Sequence, residues 1–574
     1  MSLVETAEGL AHGLGHLMVL GTVAGLLAVV VYLSALPKPL PGIPYNKASS
    51  RRLFGDLKEI RSSTYRRQWI WSQPREHGAP LSQLFLFPFR RPTVVISDYR
   101  LAMDICARRT REFDRGTRNK ECVGLTAPNF HFTMETRDAR FRIHRELLRD
   151  LMAPWFIKEV AAPRIYKRAS LLVQLWGLKQ SKAGTRSFSA TRDLYLATLD
   201  MISSVAFGME DSKAALKSEI ACTQAFEVEP AEGAHEPVMF PCAPEDAEIE
   251  ALLDIPEMVA LAQSSPFPTM AQWLALLKPK HARAHWNRKS LLRRQTAKSL
   301  HRLSLMGEKA VPESALDELL RRESMAASKS GRNADFYSPA IRDEVLGYLL
   351  GGHDSTATLL AWWIKHMTRH QEVQRRLRRA LCEAHGPALA QGRWPSMGEI
   401  LSASIPYLDA VLEESLRCAS VVTLIVRTTT CDTQILGYPI PKGTDVMIPL
   451  TGPSLTEPAL GMPQTQCLEA EHVPAWGDDV GEYRPERWLK RQSDGSSGLE
   501  RLVFDAKAGP TLAFSAGPRQ CFGKKQACLQ LRMTVTLLMW NFVFEPVDEA
   551  LGGWEITERL VNLPKQCHVK LRRP

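Results

Sequence analysis

The sequence predicts a mainly α-helical fold with small β-sheets (the α+β class), preceded by an N-terminal transmembrane helix. Segments 339–367 and 406–417 carry apolar residues at helical spacing. Two short apolar runs, 84–87 and 93–96, flank a Pro-rich turn and predict a β-hairpin. The uncharged run 14–36 is long enough to cross a membrane as a helix. A chain of 574 residues can place one large domain behind such an anchor.

The N-terminal run has the features of a membrane anchor rather than a cleaved signal peptide. No Asp, Glu, Lys or Arg lies between Glu8 and Lys38. Acidic residues precede the run and basic residues follow it, so the positive-inside rule places the rest of the chain on the cytosolic side. We expect a lumenal N-terminus (1–13), a transmembrane anchor (14–36), a Pro-rich connector (37–50) and a large domain (51–574). In a eukaryotic cell this single-pass arrangement indicates the endoplasmic reticulum membrane.

A second segment has apolar residues bordered by cations. The apolar members are Phe267, Met270, Trp273, Leu274, Leu276 and Leu277, and the basic residues that follow are Lys278, Lys280, His281 and Arg283. Such a patch can lie on an anionic membrane. The same pattern also fits an ordinary core helix, and the sequence leaves both interpretations open.

Charge and cysteine content favour some partners over others. The net charge is +11, from 73 Lys and Arg against 62 Asp and Glu. The basic residues are spread along the chain without a Lys/Arg block, which favours a membrane surface or an acidic protein partner and predicts no nucleic-acid binding. The 11 cysteines show no CxxC pair and no even spacing, so we expect reduced thiols rather than a disulfide framework.

The residues around Cys521 predict a metal-binding thiolate. The loop runs Phe514-Ser-Ala-Gly517-Pro-Arg519-Gln-Cys521-Phe-Gly523, and a segment with helical spacing follows it. Nearby positive charge and the N–H groups of a helix N-terminus stabilise a thiolate. The two glycines can adopt backbone angles closed to other residues and let the chain pass close to a flat cofactor. The alternative is a buried structural cysteine on a Gly/Pro turn.

This loop resembles the haem-binding motif of the cytochrome P450 family, Phe-x-x-Gly-x-Arg-x-Cys-x-Gly, at every defined position. The resemblance implies a P450 fold and haem b with Cys521 as the axial iron ligand. It also implies cofactor-binding roles for Phe514, Gly517, Arg519 and Gly523, and it makes 51–574 the haem-binding catalytic domain. The anchor and the Pro-rich connector resemble those of fungal, membrane-anchored members.

A second motif lies within a helix that Ser338 and Pro339 are expected to start. Two adjacent glycines, Gly351 and Gly352, should each cost about 1 kcal/mol relative to alanine, which suggests a function. The segment Gly351-Gly-His-Asp-Ser-Thr356 resembles the family's oxygen-activation motif, with Ser355 where threonine is usual. The resemblance implies that Asp354, with Ser355 or Thr356, relays protons. The alternative is a glycine-kinked helix with a surface aspartate.

Further positions follow from the resemblance. The family usually has Trp-x-x-x-Arg at a haem carboxylate, but this chain has Phe141 and Arg145, so His144 or Arg145 would have to supply the contact. Arg427 would reach a second haem carboxylate, residues 419–426 would line the substrate cavity, and 560–564 would form a hairpin tip above it. Glu414, Arg417 and Arg487 would form a buried structural triad.

The predicted function is haem-thiolate monooxygenation of an apolar small molecule, in specialised metabolism. The chain has no Gly-x-Gly-x-x-Gly fingerprint, so electrons are expected from NADPH through a separate reductase, with cytochrome b5 as a second candidate donor. The docking surface would be the basic face of Arg519, Lys524 and Lys525. Two alternatives remain open: a haem-thiolate isomerase or dehydratase that consumes no O2, and a non-catalytic membrane-tethered binding protein.

Overall fold

The chain is mainly helical in the computed structural model, which describes residues 3–209, 211–228, 236–306, 311–461, 475–493 and 500–574. This confirms the predicted α+β class. The α-helices are α1 (Leu3–Ala35), α2 (Leu57–Ser62), α3 (Arg66–Glu76), α4 (Tyr99–Met103), α5 (Thr117–Val123), α6 (Ala139–Leu148), α7 (Ala162–Ala183), α8 (Thr191–Phe207), α9 (Ala215–Ala225), α10 (Ala247–Ser264), α11 (Pro268–Leu276), α12 (Pro279–Met306), α13 (Ala315–Lys329), α14 (Pro339–Arg369), α15 (Gln371–Ala384), α16 (Gly386–Ala390), α17 (Met397–Ser402), α18 (Pro406–Ala419), α19 (Lys524–Asn541) and α20 (Glu549–Gly552).

The strands form several small sheets. They are β1 (Leu81–Leu84), β2 (Thr93–Ile96), β3 (Phe113–Asp114), β4 (Phe188–Ser189), β5 (Leu424–Thr429), β6 (Thr433–Ile435), β7 (Tyr438–Ile440), β8 (Asp445–Pro449), β9 (Leu489–Ser493), β10 (Glu500–Phe504), β11 (Val543–Glu545), β12 (Ile556–Glu558), β13 (Asn562–Pro564) and β14 (His568–Arg572). The largest sheet has the order β1-β2-β8-β5-β3, and its β2–β8 pair is parallel. A second sheet has the order β11-β14-β4, and the pairs β6–β7, β9–β10 and β12–β13 are separate two-stranded antiparallel sheets.

Helix α14 is the central element of the main core. Ser338 caps it as expected, because its hydroxyl accepts a hydrogen bond from the Ile341 N–H and Pro339 occupies the first turn. α14 packs along α8, and α7 and α19 complete the layer around it. Large side chains such as Trp176 and Trp363 are fully buried between these helices. The result is a rigid helical support on which a site can be built.

Two predicted β segments differ from the structure. β1 ends at Leu84, because the N–H of Phe85 donates to the Asp56 carboxylate (2.7 Å) instead of to a hairpin partner. The predicted strand at 84–87 is therefore wrong beyond its first residue. The β segment at 435–443 is a hairpin, β6–β7, with its turn at Leu436 and Gly437, which both have positive φ.

The N-terminal helix and the connector lie outside the main core. α1 includes most of the predicted anchor, and Met18–Ala35 is long and apolar enough to cross a membrane, by length and composition. The connector then lies on the large sheet. The Gln83 side chain donates to the carbonyls of Leu40 (2.9 Å) and Ile43 (2.7 Å) and accepts from the Leu40 N–H (2.7 Å). Leu40 and Ile43 are buried in the second core cluster of this sheet.

Candidate active site

Cys521 lies in a loop immediately before α19. Its N–H donates to the carbonyl of Phe514 (2.9 Å), which closes the loop. Burial raises the pKa of the Cys521 thiol, and the N–H groups of Gly523 and Lys524 and the charge of Lys524 act in the opposite direction. The predicted combination of helix N-terminus and positive charge is therefore present at the sulfur.

The two loop glycines, Gly517 and Gly523, differ in backbone conformation and in the space around them. Gly517 has a φ of +69°, and an added Cβ would lie 2.0 Å from the carbonyl oxygen of Cys106. Gly523 has a φ of −80°, so the expectation of an unusual backbone angle is wrong there. A Cβ at Gly523 would meet open space, because this residue borders the cavity above Cys521.

The cavity above Cys521 has a volume of about 920 Å³. The Cys521 loop, α14, residues 420–427 and the tip of the β12–β13 hairpin enclose it. Its apolar lining includes Phe130, Leu148, Ile202, Leu359, Val421 and Val561. Of the predicted wall at 419–426, residues 420–426 line this cavity, and of the predicted hairpin tip at 560–564, Leu560 and Val561 do so.

Four arginines line one edge of the cavity: Arg115, Arg145, Arg427 and Arg519. Burial lowers the pKa of Arg519 to about 10, with Asp114 opposing this and the charges of Arg427 and Arg145 adding to it. Burial likewise lowers the pKa of Arg115, and Arg427 and Arg519 lower it further. The carboxylate of Asp114 lies 3.6 Å from Arg519. This edge therefore carries an excess of positive charge suited to anionic groups.

Arg519 is held by the backbone of the segment before α6. Its guanidinium donates to Thr136 Oγ1 (2.7 Å) and to the carbonyls of His131 (3.2 Å) and Met134. It also stacks over the ring of Phe141 at 3.8 Å. Phe141 is the residue at the position where tryptophan is usual in the family that the motifs resemble. The Arg519 side chain is buried, so Arg519 belongs to the cavity and not to the exposed basic face predicted for a redox partner.

Helix α6 brings only one of its two candidate residues to the cavity. Arg145 lines it and lies 4.8 Å over the ring of Phe522. His144 is buried, and its Nδ1 bonds to Glu344 Oε1 at 2.6 Å. His144 is not among the residues that line the cavity, so this placement does not support the expected contact with the cofactor.

The motif on α14 presents its residues in different directions. Gly351 faces open space at the cavity, whereas a Cβ on Gly352 would lie 2.4 Å from Ile202 Cδ1 on α8. Ser355 is exposed to the cavity and its hydroxyl donates to the Gly351 carbonyl (2.9 Å). Thr356 is buried and donates to Gln530 Oε1 (3.3 Å).

Asp354 is buried beside a tyrosine of α8. The Tyr195 hydroxyl donates to Asp354 Oδ1 at 2.8 Å. Burial raises the pKa of Asp354, and the Tyr195 hydrogen bond and the charge of Arg559 oppose this. A carboxyl group with a raised pKa next to a cavity-facing hydroxyl can pass protons inward.

Comparisons with known proteins agree with this geometry. The "Cytochrome P450" family model matches residues 53–456 and 475–571. The chain belongs to the cytochrome P450 family. It is 33% identical to the cytochrome P450 monooxygenase TRI13 of Fusarium sporotrichioides and 34% identical to the cytochrome P450 monooxygenase GME11363 of Pestalotiopsis microspora. Each comparison covers 96% of this chain and 98% of the relative.

The crystal structure of the cytochrome P450DA heme domain shows the same fold, with a TM-score of 0.67, 17% identity and coverage of 94% of this chain and 98% of that chain. These findings confirm the predicted fold and fungal type. They make this P450 a haem-thiolate monooxygenase, with haem as its cofactor.

The residues of the cavity fit haem b. Cys521 would supply the thiolate ligand, and the four arginines that line the cavity would bind the two carboxylates of the haem. The Nε of Arg115 is buried without a hydrogen-bond partner, which is costly unless an anion completes the site. Gly351 and Gly523 leave open space beside the cavity, where a flat ring system can approach the backbone.

The predicted triad of this P450 is brought together below the site. Arg417 donates to both carboxylate oxygens of Glu414 (2.8 and 2.7 Å), and Arg487 Nε lies 3.0 Å from Glu414 Oε1. Trp488 adds a donor at 2.9 Å. All three members of the triad have almost fully buried side chains, so removing Glu414 would leave the buried Arg417 guanidinium without a carboxylate partner, whereas Glu414 would keep one arginine if the other were removed.

Sequence reasoning missed Arg115, His131 and Tyr195. Arg115 follows β3, and its guanidinium stacks on Phe132 at 3.7 Å. His131 lines the cavity and pairs with Glu344, and Tyr195 bonds to Asp354. None of the three belongs to a short motif. For Arg115, the local signal in the sequence is a basic residue directly after Phe113 and Asp114 of β3.

Proposed function

We propose that this P450 oxygenates an apolar small molecule of specialised metabolism, such as a terpenoid, polyketide or alkaloid intermediate. The observation that supports the proposal is the mainly apolar cavity directly above Cys521, which the acid-hydroxyl pair of α14 borders. When bound, the haem with its thiolate ligand activates O2. The chain's own residues bind the haem carboxylates, enclose the substrate in an apolar space and supply protons.

The proton path is proposed to run from Asp354 to Ser355. Both residues line the cavity, but Ser355 is favoured over Thr356 because its side chain is more exposed there, whereas Thr356 is buried and bonds to Gln530. The single acceptor of Ser355, the Gly351 carbonyl, lies within α14 and holds the hydroxyl near the cavity. This acid-hydroxyl pair also argues against an isomerase or dehydratase, which needs no delivery of protons to O2.

One set of measurements tests the proposal. The reduced protein should give the red-shifted carbon monoxide band of a thiolate-bound haem, and Cys521→Ala should lose it. Substrates are first selected by binding spectra against a panel of apolar compounds. NADPH and O2 consumption should then rise with a bound compound, and one oxygen atom should appear in the product. Turnover without O2 consumption would contradict monooxygenation, and absence of the thiolate band in the wild type would contradict the whole site.

The proposed electron donor is NADPH-cytochrome P450 reductase, with cytochrome b5 as a second candidate. Its docking surface includes Lys524 and Lys525, which are exposed at the start of α19 close to Cys521. Arg519 is excluded from this surface by its burial. Reversing both lysine charges should slow reduction of the haem by the reductase. Unchanged reduction kinetics would contradict this surface.

The proposed location is the endoplasmic reticulum membrane, with the catalytic domain in the cytosol. Two observations support a membrane-facing side of the domain. α1 can cross a bilayer, and α11 exposes the apolar side chains of Phe267, Met270, Trp273, Leu274 and Leu277. The core-helix interpretation of this patch is therefore not favoured. Microscopy of a tagged full-length chain against an endoplasmic reticulum marker tests the location, and a soluble distribution would contradict it.

A further inference from the structure

Glu344 is a fully buried carboxylate that holds two histidines. On α14, its Oε2 lies 2.7 Å from Nδ1 of His131, and its Oε1 lies 2.6 Å from Nδ1 of His144. The backbone N–H of His131 also donates to Glu344 Oε1 at 2.7 Å. Burial raises the pKa of Glu344, but its contacts with His131 and then His144 outweigh burial, so the net shift is downward. Glu344 is therefore a buried carboxylate whose charged form is stabilised by its two histidine partners.

The two histidines differ in what lies on their other side. His131 lines the cavity together with Arg115, Arg145 and Arg519, whereas His144 does not line it. The ring of His131 packs 6.1 Å from Phe141 and 6.2 Å from Phe522, the residue that follows Cys521. Its Nε2 makes no hydrogen bond to any residue in the described part of the chain. His131 therefore has a free ring nitrogen at the cationic edge of the cavity.

We propose that His131 binds one of the two carboxylates of the haem and that Glu344 positions its ring for this. The chain has Phe141 where a tryptophan donor is usual, and Phe141 is occupied by stacking with Arg519. His131 would supply the missing donor from the preceding loop. In this arrangement His131 is a binding residue and Glu344 is a positioning residue.

The chemistry of the pair is consistent with this role. When both ring nitrogens carry a hydrogen, Nδ1–H donates to Glu344 and Nε2–H is left to donate to a carboxylate on the other side of the ring. A buried carboxylate that orients an imidazole is also the usual way to fix a histidine that binds a group through its second nitrogen. Arg519 donates to the His131 carbonyl at 3.2 Å, so the histidine and the arginine cluster are held as one unit.

The test uses His131→Phe and its matched control His144→Phe in the purified holoprotein. Both substitutions remove one bond to Glu344, so a purely structural role predicts the same effect. The readout is the rate of haem transfer to excess apomyoglobin, followed by absorbance. We expect His131→Phe to raise the rate roughly 10- to 100-fold, as for loss of one charge-assisted hydrogen bond, and His144→Phe to stay within about threefold of wild type. Equal rates in the two variants, or a wild-type rate in His131→Phe, would overturn the proposal.

A second matched pair keeps the test decisive if phenylalanine prevents folding. His131→Gln and His144→Gln each retain a neutral donor that can reach Glu344. The expected order is the same, with faster haem loss in His131→Gln than in His144→Gln, and the difference should be smaller than for the phenylalanine pair because the glutamine amide keeps a neutral hydrogen-bond donor. Faster loss from His144→Gln, or no difference between the two glutamine variants, contradicts a cofactor contact by His131.

Discussion

Ser355 and Thr356 are adjacent hydroxyl residues with different surroundings. The Ser355 hydroxyl is at the cavity and the Thr356 hydroxyl is buried against Gln530 of α19. Ser355→Ala should therefore lower the product formed per NADPH about tenfold and raise the H2O2 released, because a proton donor to the cavity is lost. Thr356→Val should keep both ratios, and Ser355→Thr should retain activity. A normal product ratio in Ser355→Ala would assign the relay elsewhere.

Tyr195 affects the pKa of Asp354, the acid of the proposed relay. Its hydroxyl donates to Asp354 and opposes the rise in the pKa of Asp354 that burial causes. Tyr195→Phe removes this stabilisation of the carboxylate, so the pKa of Asp354 rises further, and the alkaline limb of the pH profile for coupled turnover, where the proton donor is lost, moves to higher pH. Tyr166→Phe is the control, because the Tyr166 hydroxyl bonds to the Pro395 carbonyl away from the cavity. An unshifted limb in Tyr195→Phe would contradict this role.

Single residues were predictable where a short motif carried them. The Cys521 loop and the Asp354 motif are continuous, and the structure places both at one cavity. His131 lies 213 residues from Glu344 along the chain, and Tyr195 lies 159 residues from Asp354. No local sequence pattern marks either residue. The placement of His144 also could not be predicted, because it depends on which face of α6 packs on Glu344.

Helices α8 and α14 approach closely at one of the two motif glycines. A Cβ on Gly352 would lie 2.4 Å from Cδ1 and 2.7 Å from Cγ1 of the buried Ile202. Gly352→Ala should cost about 1 kcal/mol net, since overpacking of roughly 1–3 kcal/mol exceeds the gain in helix propensity. Gly351→Ala meets no atom of the chain within 4 Å, so in the haem-free protein it should be neutral or stabilising by up to about 1 kcal/mol. Urea unfolding checks the order, and an equal cost at both positions would contradict the packing argument.

Elements were predictable where one periodicity extends over many residues. α14 and α18 begin as expected, because Ser338 and Pro406 mark their first turns. Short β segments were less predictable, because their ends depend on partners distant in the chain. Asp56 ends β1 by taking the Phe85 N–H, and nothing near residue 85 in the sequence reveals it.

At the scale of the whole molecule, helix α1 and the apolar helix α11 are linked to the same side of the domain. The loop after β1 contacts the end of α1, since the Phe89 N–H lies 3.5 Å from the Ala35 carbonyl. Arg118 joins this loop to the segment before α11. Its guanidinium lies 5.5 Å from the Phe87 ring and donates to the Ser265 carbonyl (2.9 Å). The cavity lining includes Phe87 and Ser265, so the cavity extends to this side.

This arrangement predicts that α11 binds a bilayer without help from α1. In a chain that lacks residues 1–36, substitution of Phe267, Trp273 and Leu277 by serine should weaken binding to mixed phosphatidylcholine and phosphatidylserine vesicles roughly tenfold or more, because three exposed apolar side chains no longer enter the interface. A matched triple substitution at the exposed Met325, Leu389 and Leu502 should leave binding unchanged. Vesicle flotation measures both, with the carbon monoxide band as the control for a folded site. Equal binding by the two triple variants would contradict a membrane contact through the apolar face of α11.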